Sequence, residues 1–334
     1  MQTSKNQIVR TFIFCVVFVT AVCLINFLLV PYSSLMKKFE NYHRVQAKGN
    51  IDYLVIGSSL EGDGLMQDVM AEELGGNTVV FTPQGSNPEV EYLLLLDVSS
   101  KNRVKTAIIG WDLFQNLMNP YYRYPRSEQL NRELIKECWK SNELTKIMLS
   151  RYAEQRYSQT FFQFCSFQDN IKNISKVLKS KKERRENPEN LVLVADGTPI
   201  DVNDIHNPSY NFDKLLSDEY TDIINPKDFE YVLKIRDFCK KNGIELYFLS
   251  APAPQVSIDA IAIYWSMHYN SKIAFKEAGI NFIDTLEQEH FPYSTENTNF
   301  KDCYGHITKT YRETYTRAVS SYINTKAFYG SKYE

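Results

Sequence analysis

Asp52–Leu65, "DYLVIGSSLEGDGL", carries an apolar run into Gly57 and then hands the chain to two adjacent serines. The run Tyr53–Gly57 has the composition of a strand buried on both faces, and four similar runs follow: "TVVFT" (Thr78–Thr82), "TAIIG" (Thr106–Gly110), "ELYFLS" (Glu245–Ser250) and "INFID" (Ile280–Asp284). Helical stretches separate them. That alternation predicts an α/β domain built on a parallel sheet. Just before Ile244, Lys240, Lys241 and Gly243 close an amphipathic stretch as a helix stop.

The chain has 334 residues, 43% of them hydrophobic and 13% aromatic, enough for one large domain with a filled core. Its 38 Lys and Arg nearly balance 40 Asp and Glu, so no global field argues for a nucleic-acid partner. Residues 11–31 open with "TFIFCVVFVTAVCLINFLLV", an uncharged stretch about as long as a helix needs to cross the roughly 30 Å hydrocarbon core of a bilayer. "VPYSSLMKK" follows in place of a small-residue cleavage site, so the stretch is expected to remain as an anchor. Residues 1–10 form a short tail before it and 32–49 a juxtamembrane linker. Lys5 and Arg10 precede the span while Lys37, Lys38 and Arg44 follow it, so charge does not choose an orientation. The six cysteines show no C-x-x-C pairing, which excludes a zinc site as the organising expectation.

The main domain is expected over 50–325. Its third and fourth strands are too far apart for a simple crossover, which places a helical insertion at about 115–228. Leu130–Phe164 within it has helical periodicity, and Lys176–Asn190 reads as a solvated, basic helix end and loop. "NPYYRYPRS" (Asn119–Ser127) offers rings and guanidinium groups that suit an acceptor contact or loop packing equally.

In open parallel sheets ligands bind beyond the carboxyl ends of the strands. The residues there are Gly57, Ser58 and Ser59 after the first run, "PQGSN" (Pro83–Asn87) after the second, and Gly110, Trp111 and Asp112 after the third. Near the C-terminus, "NFKDCYGHITKTY" presents Asp302 and His306 ahead of a last helix whose Tyr311, Tyr315, Ala318, Val319 and Tyr322 share one face. A serine, an imidazole and a carboxylate are thus available for nucleophilic catalysis. Glycine before the serines is expected to permit a sharp turn. Glu61 and Asp63 suit an acidic pocket mouth but are expected as solvated loop charges, and His43, His206, His268 and His290 as structural residues.

These residues resemble the SGNH/GDSL hydrolase superfamily, and more narrowly its membrane-tethered branch of DltD-like and polysaccharide O-acetyltransferase-like proteins. Gly57, Ser58, Ser59 and Leu60 match the family's G-D-S-L turn, Gly64 a glycine common in the tethered branch, Gly85 the second block's oxyanion glycine, and Asp302 and His306 the closing acid and base. The resemblance implies a flavodoxin-like parallel sheet of SGNH hydrolase type, with helices on both faces. It makes Ser59 the nucleophile, His306 its base and Asp302 the orienting acid; Ser58, Gly85 and Asp112 fall at oxyanion or substrate-binding positions. Two departures stand out. Asp302 and His306 are separated by three residues where the family has D-x-x-H, with Cys303 at the expected acid position, and Asp112 replaces the asparagine of the third block. An ionised Asp112 cannot donate to an oxyanion.

The resemblance further implies a single-pass membrane protein with its main domain extracytoplasmic. It implies a serine acyltransferase or esterase that moves acyl groups on a cell-envelope polymer, between an acylated donor and a carbohydrate or polyol acceptor. A multipass O-acyltransferase partner is implied, and neither cofactor nor metal. The alternative is a catalytically inactive member that binds glycan or organises a membrane acylation complex.

Overall fold

The computed structural model describes residues 2–28, 49–83, 86–113, 223–287, 289–292 and 294–330. The chain divides into two compact units, Met1–Lys37 with Cys138–Leu193, and Lys38–Glu137 with Val194–Glu334. In the first unit the described element is helix α1, Gln2–Leu28. Its Ile8, Val9, Phe12, Ile13, Phe14, Val16, Val17 and Phe18 side chains are all exposed within the chain. Among the described residues no helix is long and apolar enough to cross a membrane. The expected anchor, 11–31, lies partly outside them, because the side chains of 19 and 22–28 and all of 29–31 are not described. The linker 32–48 and most of the expected insertion, 114–222, also lie outside, and with them Asn119–Ser127, Lys176–Asn190, His43 and His206.

The second unit is built on five parallel strands: β1 (Ile51–Ile56), β2 (Thr78–Phe81), β3 (Val104–Trp111), β4 (Glu245–Ser250) and β5 (Asn281–Ile283). Their spatial order is β2-β1-β3-β4-β5, one of the two common doubly wound orders. Val55 lies opposite Val80 on one side and Ile108 on the other, and Ile108 in turn opposite Tyr247. Each of the five apolar runs is a strand of this sheet.

Helices cover both faces. On one lie α2 (Ser59–Gly64), α3 (Gln67–Leu74) and the long C-terminal α8 (Lys309–Gly330); on the other lie α4 (Pro88–Lys101), α5 (Pro226–Asn242) and α7 (Tyr264–Glu277), while α6 (Gln255–Ala260) follows β4. Strand alternation explains the division. Val55, Ile108, Tyr247, Leu249 and Ile283 point toward α8, where Tyr311, Tyr315, Val319 and Ile323 meet them. Phe248 and Trp111 point the other way, onto Phe275 of α7 at ring separations of 4.8 and 5.0 Å. A fully buried Leu, Ile or Val in such a layer contributes about 1.5–3 kcal/mol, and the α8 face is dense with them.

Local chemistry sets the ends of the helices. Asn87 caps α4 by accepting from the Val90 N–H at 3.1 Å, with Pro88 in the first turn. The predicted helix stop is the left-handed Gly243, φ 64°, after Lys240 and Lys241 at the end of α5.

Candidate active site

Ser58 and Ser59 leave the carboxyl end of β1, and their chemistry differs at once. Ser58 is the N-cap of α2: its hydroxyl accepts from the Leu60 N–H at 3.2 Å and donates to Glu61 Oε2 at 3.1 Å, and its own N–H donates to the same oxygen at 2.7 Å. This is a reciprocal capping box. Both Ser58 groups are occupied and the residue is buried. Ser59, one position on, has its Oγ 2.8 Å from His306 Nε2.

His306 comes from the other end of the chain on a short loop between Phe300 and Ile307, both wholly buried and paired as an antiparallel bridge. The loop is drawn tight by Lys301 N–H to His306 O at 2.9 Å and Thr308 N–H to Asn299 O at 2.8 Å. Inside it, Asp302 Oδ2 lies 2.6 Å from His306 Nδ1, while Asp302 Oδ1 accepts from the Tyr304 and His306 backbone N–H groups at 3.0 and 3.2 Å. Gly305 turns the chain at φ 97°, and a Cβ there would collide with the Pro252 carbonyl oxygen. The loop therefore accommodates three residues between acid and base. Cys303, at the expected acid position, is buried, and its carbonyl accepts from Ser257 Oγ at 2.7 Å.

The loop is also fixed to α2 from outside. Lys301 Nζ pairs with Asp63 Oδ2 at 2.6 Å, and Arg312 at the start of α8 donates to the Gly62 and Leu65 carbonyls at 2.8 and 2.6 Å. Thr316 accepts from the Met66 N–H at 3.1 Å. The two ends of the sequence thus meet at the carboxyl rim of the sheet through several bonds.

The electrostatics suit a base held ready to accept a proton. Burial pushes the His306 imidazole down, but the bond to Asp302, that carboxylate's charge and the charge of Asp63 outweigh it, and the net shift is above the ordinary histidine value. Burial pushes Asp302 up, yet its bond and attraction to His306 and the two backbone N–H groups hold it below the usual carboxylate range.

Behind the turn lies a second group of residues. Glu61 is 3% exposed, and burial raises its carboxyl to about 7 against the opposing bonds from the Glu61 and Ser58 N–H groups. Glu91 on α4 is equally buried, and burial together with the Glu61 charge pushes it well above its ordinary value. Glu61, Glu91, Asp112, Ser58, Ser86, Asn87 and Gly110 line a pocket too tight for a water molecule.

These facts change two expectations: Glu61 is buried and Asp63 is paired with Lys301, so neither is a solvated charge. Gly57 lies outside the left-handed region and is needed for space, because a Cβ on it would stand 2.5 Å from Glu61 Oε2, and one on Gly110 would strike the same carboxyl. Sequence reasoning set Glu61 aside as a solvated charge and missed Glu91, Lys301 and Arg312 as parts of the site. One signal was present: Ser58 followed by Glu61 is the S-x-x-E spacing of a capping box. Of the remaining expected site residues, Asp112 lies in the pocket behind the turn, and Gly85 falls outside the described residues. Asp63 forms an ion pair, and His268 is buried with its Nε2 3.1 Å from Asp284. Among the described residues no group of His, Cys, Asp and Glu side chains is disposed to hold a metal ion.

No protein-family model matches the chain, and no curated protein matches it.

Proposed function

We propose that the chain is a serine acyltransferase or esterase of the SGNH type, tethered to a membrane by its N-terminal helix, with the main domain extracytoplasmic and acting on a cell-envelope polymer. The observation that carries this reading is the continuous relay from Ser59 Oγ to His306 Nε2 at 2.8 Å and from His306 Nδ1 to Asp302 at 2.6 Å. The sheet order β2-β1-β3-β4-β5 and the position of the relay at its carboxyl rim support it. The exposed apolar side chains of α1 support the tether.

In this mechanism Asp302 holds the Nδ1–H of His306, which leaves Nε2 free to take the Ser59 proton. Ser59 Oγ attacks the acyl carbonyl of the donor and the carbonyl π electrons move onto oxygen. The mechanism assigns that oxyanion to the Ser59 N–H, at the first position of α2, where helix amides have no intrahelical acceptor. Collapse of the tetrahedral species expels the donor's alkoxide, which takes the proton from His306. A carbohydrate or polyol hydroxyl, or water, then gives its proton to His306 and attacks the acyl-serine, and Ser59 is restored. The tether raises the effective concentration of a membrane-borne donor. A multipass O-acyltransferase would fit as the partner that supplies acyl groups.

One observation favours a second reading, a non-catalytic glycan-binding or scaffold protein. Asp112, Glu61 and Glu91 place three carboxyl groups beside the turn, an unfavourable setting for a developing oxyanion. Release of acyl groups from an acylated saccharide by the full chain in membranes separates the two. Activity lost in Ser59→Ala and kept in Ser58→Ala supports the enzyme; glycan retained without any turnover supports the binder.

A further inference from the structure

Glu61 occupies a place where a carboxyl group is expensive. It lies beneath Gly57 and Gly110, neither of which has room for a Cβ, so two backbone segments have given up side chains to admit it. One oxygen, Oε2, takes both the N–H and the hydroxyl of Ser58. The other, Oε1, is buried without a hydrogen-bond partner, and so is Oε2 of Glu91 across the same tight pocket. Among the described residues the titratable groups facing Glu61 are Glu91 from α4, Asp112 after β3 and the Tyr315 phenol from α8, none of them a cation. No water fits in this pocket, so charges on Glu61 Oε1 and Glu91 Oε2 would have neither solvent nor a hydrogen-bond donor.

Resting on the reading of Ser59 as nucleophile, we infer that Glu61 is a positioning residue that works as a neutral acid: it fixes Ser58 in the capping box, so that Ser59 is the serine presented to His306, and it keeps negative charge away from the oxyanion. Its elevated protonation range is consistent with this role. A proton kept on Glu61 spares the pocket a second negative charge near Glu91. The neutral acid still accepts from Ser58 through Oε2, so positioning does not require the charge.

The sign of the pH effect follows. Glu61 binds its proton more tightly folded than unfolded, so raising the pH from the ordinary glutamate range through about 7 removes stability. Ionisation also adds a negative charge under the turn and slows acyl transfer. His306 also ionises above the ordinary histidine value, so its effect overlaps this range; it is common to the parent and Glu61→Gln, and the difference between the two proteins isolates Glu61.

The test uses the full chain in detergent, with two readouts over about pH 4 to 9: thermal unfolding, and the rate at which a fluorophosphonate labels Ser59. In the parent protein, unfolding temperature falls between the ordinary glutamate value and about 7 and then levels, and labelling is slowed as Glu61 ionises above about 7. In Glu61→Gln both Glu61-linked losses are blunted, while labelling near neutrality stays within roughly threefold, because an amide oxygen still accepts from Ser58. In Glu61→Ala labelling drops by roughly ten- to a hundredfold, the scale of a misplaced nucleophile. If Glu61→Gln follows the parent at every pH in both readouts, the inference is overturned while the nucleophile stands. If the parent protein shows this loss of stability toward about pH 7 but no labelling of Ser59, the nucleophile reading fails and the positioning role fails with it.

Discussion

Lys301, the residue before Asp302, forms a 2.6 Å ion pair with Asp63, a residue of the α2 helix that Ser59 begins. The side chains are 11% and 17% exposed, so solvent screens this pair far less than a surface one. It connects the segment carrying acid and base directly to the segment carrying the hydroxyl. Lys301→Met or Asp63→Asn is expected to lower kcat on an acyl ester by roughly tenfold with little change in KM, because geometry is lost and substrate contacts are not. The double variant should be no worse than either single one. Steady-state kinetics on the four proteins checks this.

Arg312 makes the same connection through the backbone, holding the carbonyls of Gly62 and Leu65. Arg312→Leu leaves both without their charged donor in a buried setting. A loss on the order of 3 kcal/mol is expected from charge-assisted bonds of this kind, read as a lower midpoint in denaturant with an unchanged slope.

Asp302 holds His306 above its ordinary range, and the sign for activity follows from which form of the imidazole is the base. Protonated His306 cannot accept from Ser59, so the rate falls as pH drops through a value above the usual histidine figure of about 6.5. Asp302→Asn removes the attraction and should move this acid limb downward. It should also cut the rate on the order of a thousandfold or more through loss of the correct tautomer. The pH profile of kcat/KM for the two proteins measures both effects.

Gly110 and Glu61 are coupled by space. A methyl group at Gly110 collides with the Glu61 carboxyl, so Gly110→Ala should destabilise by about 1–3 kcal/mol. In a Glu61→Ala background most of that cost should vanish, since the colliding atoms are gone. Chemical denaturation of the double-mutant cycle gives the coupling energy directly.

The five strands were legible because each carries an apolar run, buried on both faces through the middle of β1, β3 and β4. The face of α8 was legible because Tyr311, Tyr315 and Val319 recur at helical spacing. Ser59 was legible after a strand and Asp302 and His306 ahead of the last helix, although proximity across the 247-residue separation of Ser59 and His306 is visible only in the fold. Glu61 was not legible as a buried group. A glutamate in "SSLEGDGL" reads as exposed unless one knows that Gly57 and Gly110, distant in sequence, leave a space for it. Glu91 was hidden in the same way, because burial of a helix face against a turn is a tertiary fact.

The central claim is that Ser59, and not Ser58, is a hydroxyl activated by His306. The most direct measurement is the site of fluorophosphonate attachment in the full chain, mapped by peptide mass spectrometry in the parent protein and in His306→Ala. An adduct on Ser59 that disappears in His306→Ala is the predicted result. An adduct on Ser58, or a Ser59 adduct formed at the same rate without His306, would contradict the account.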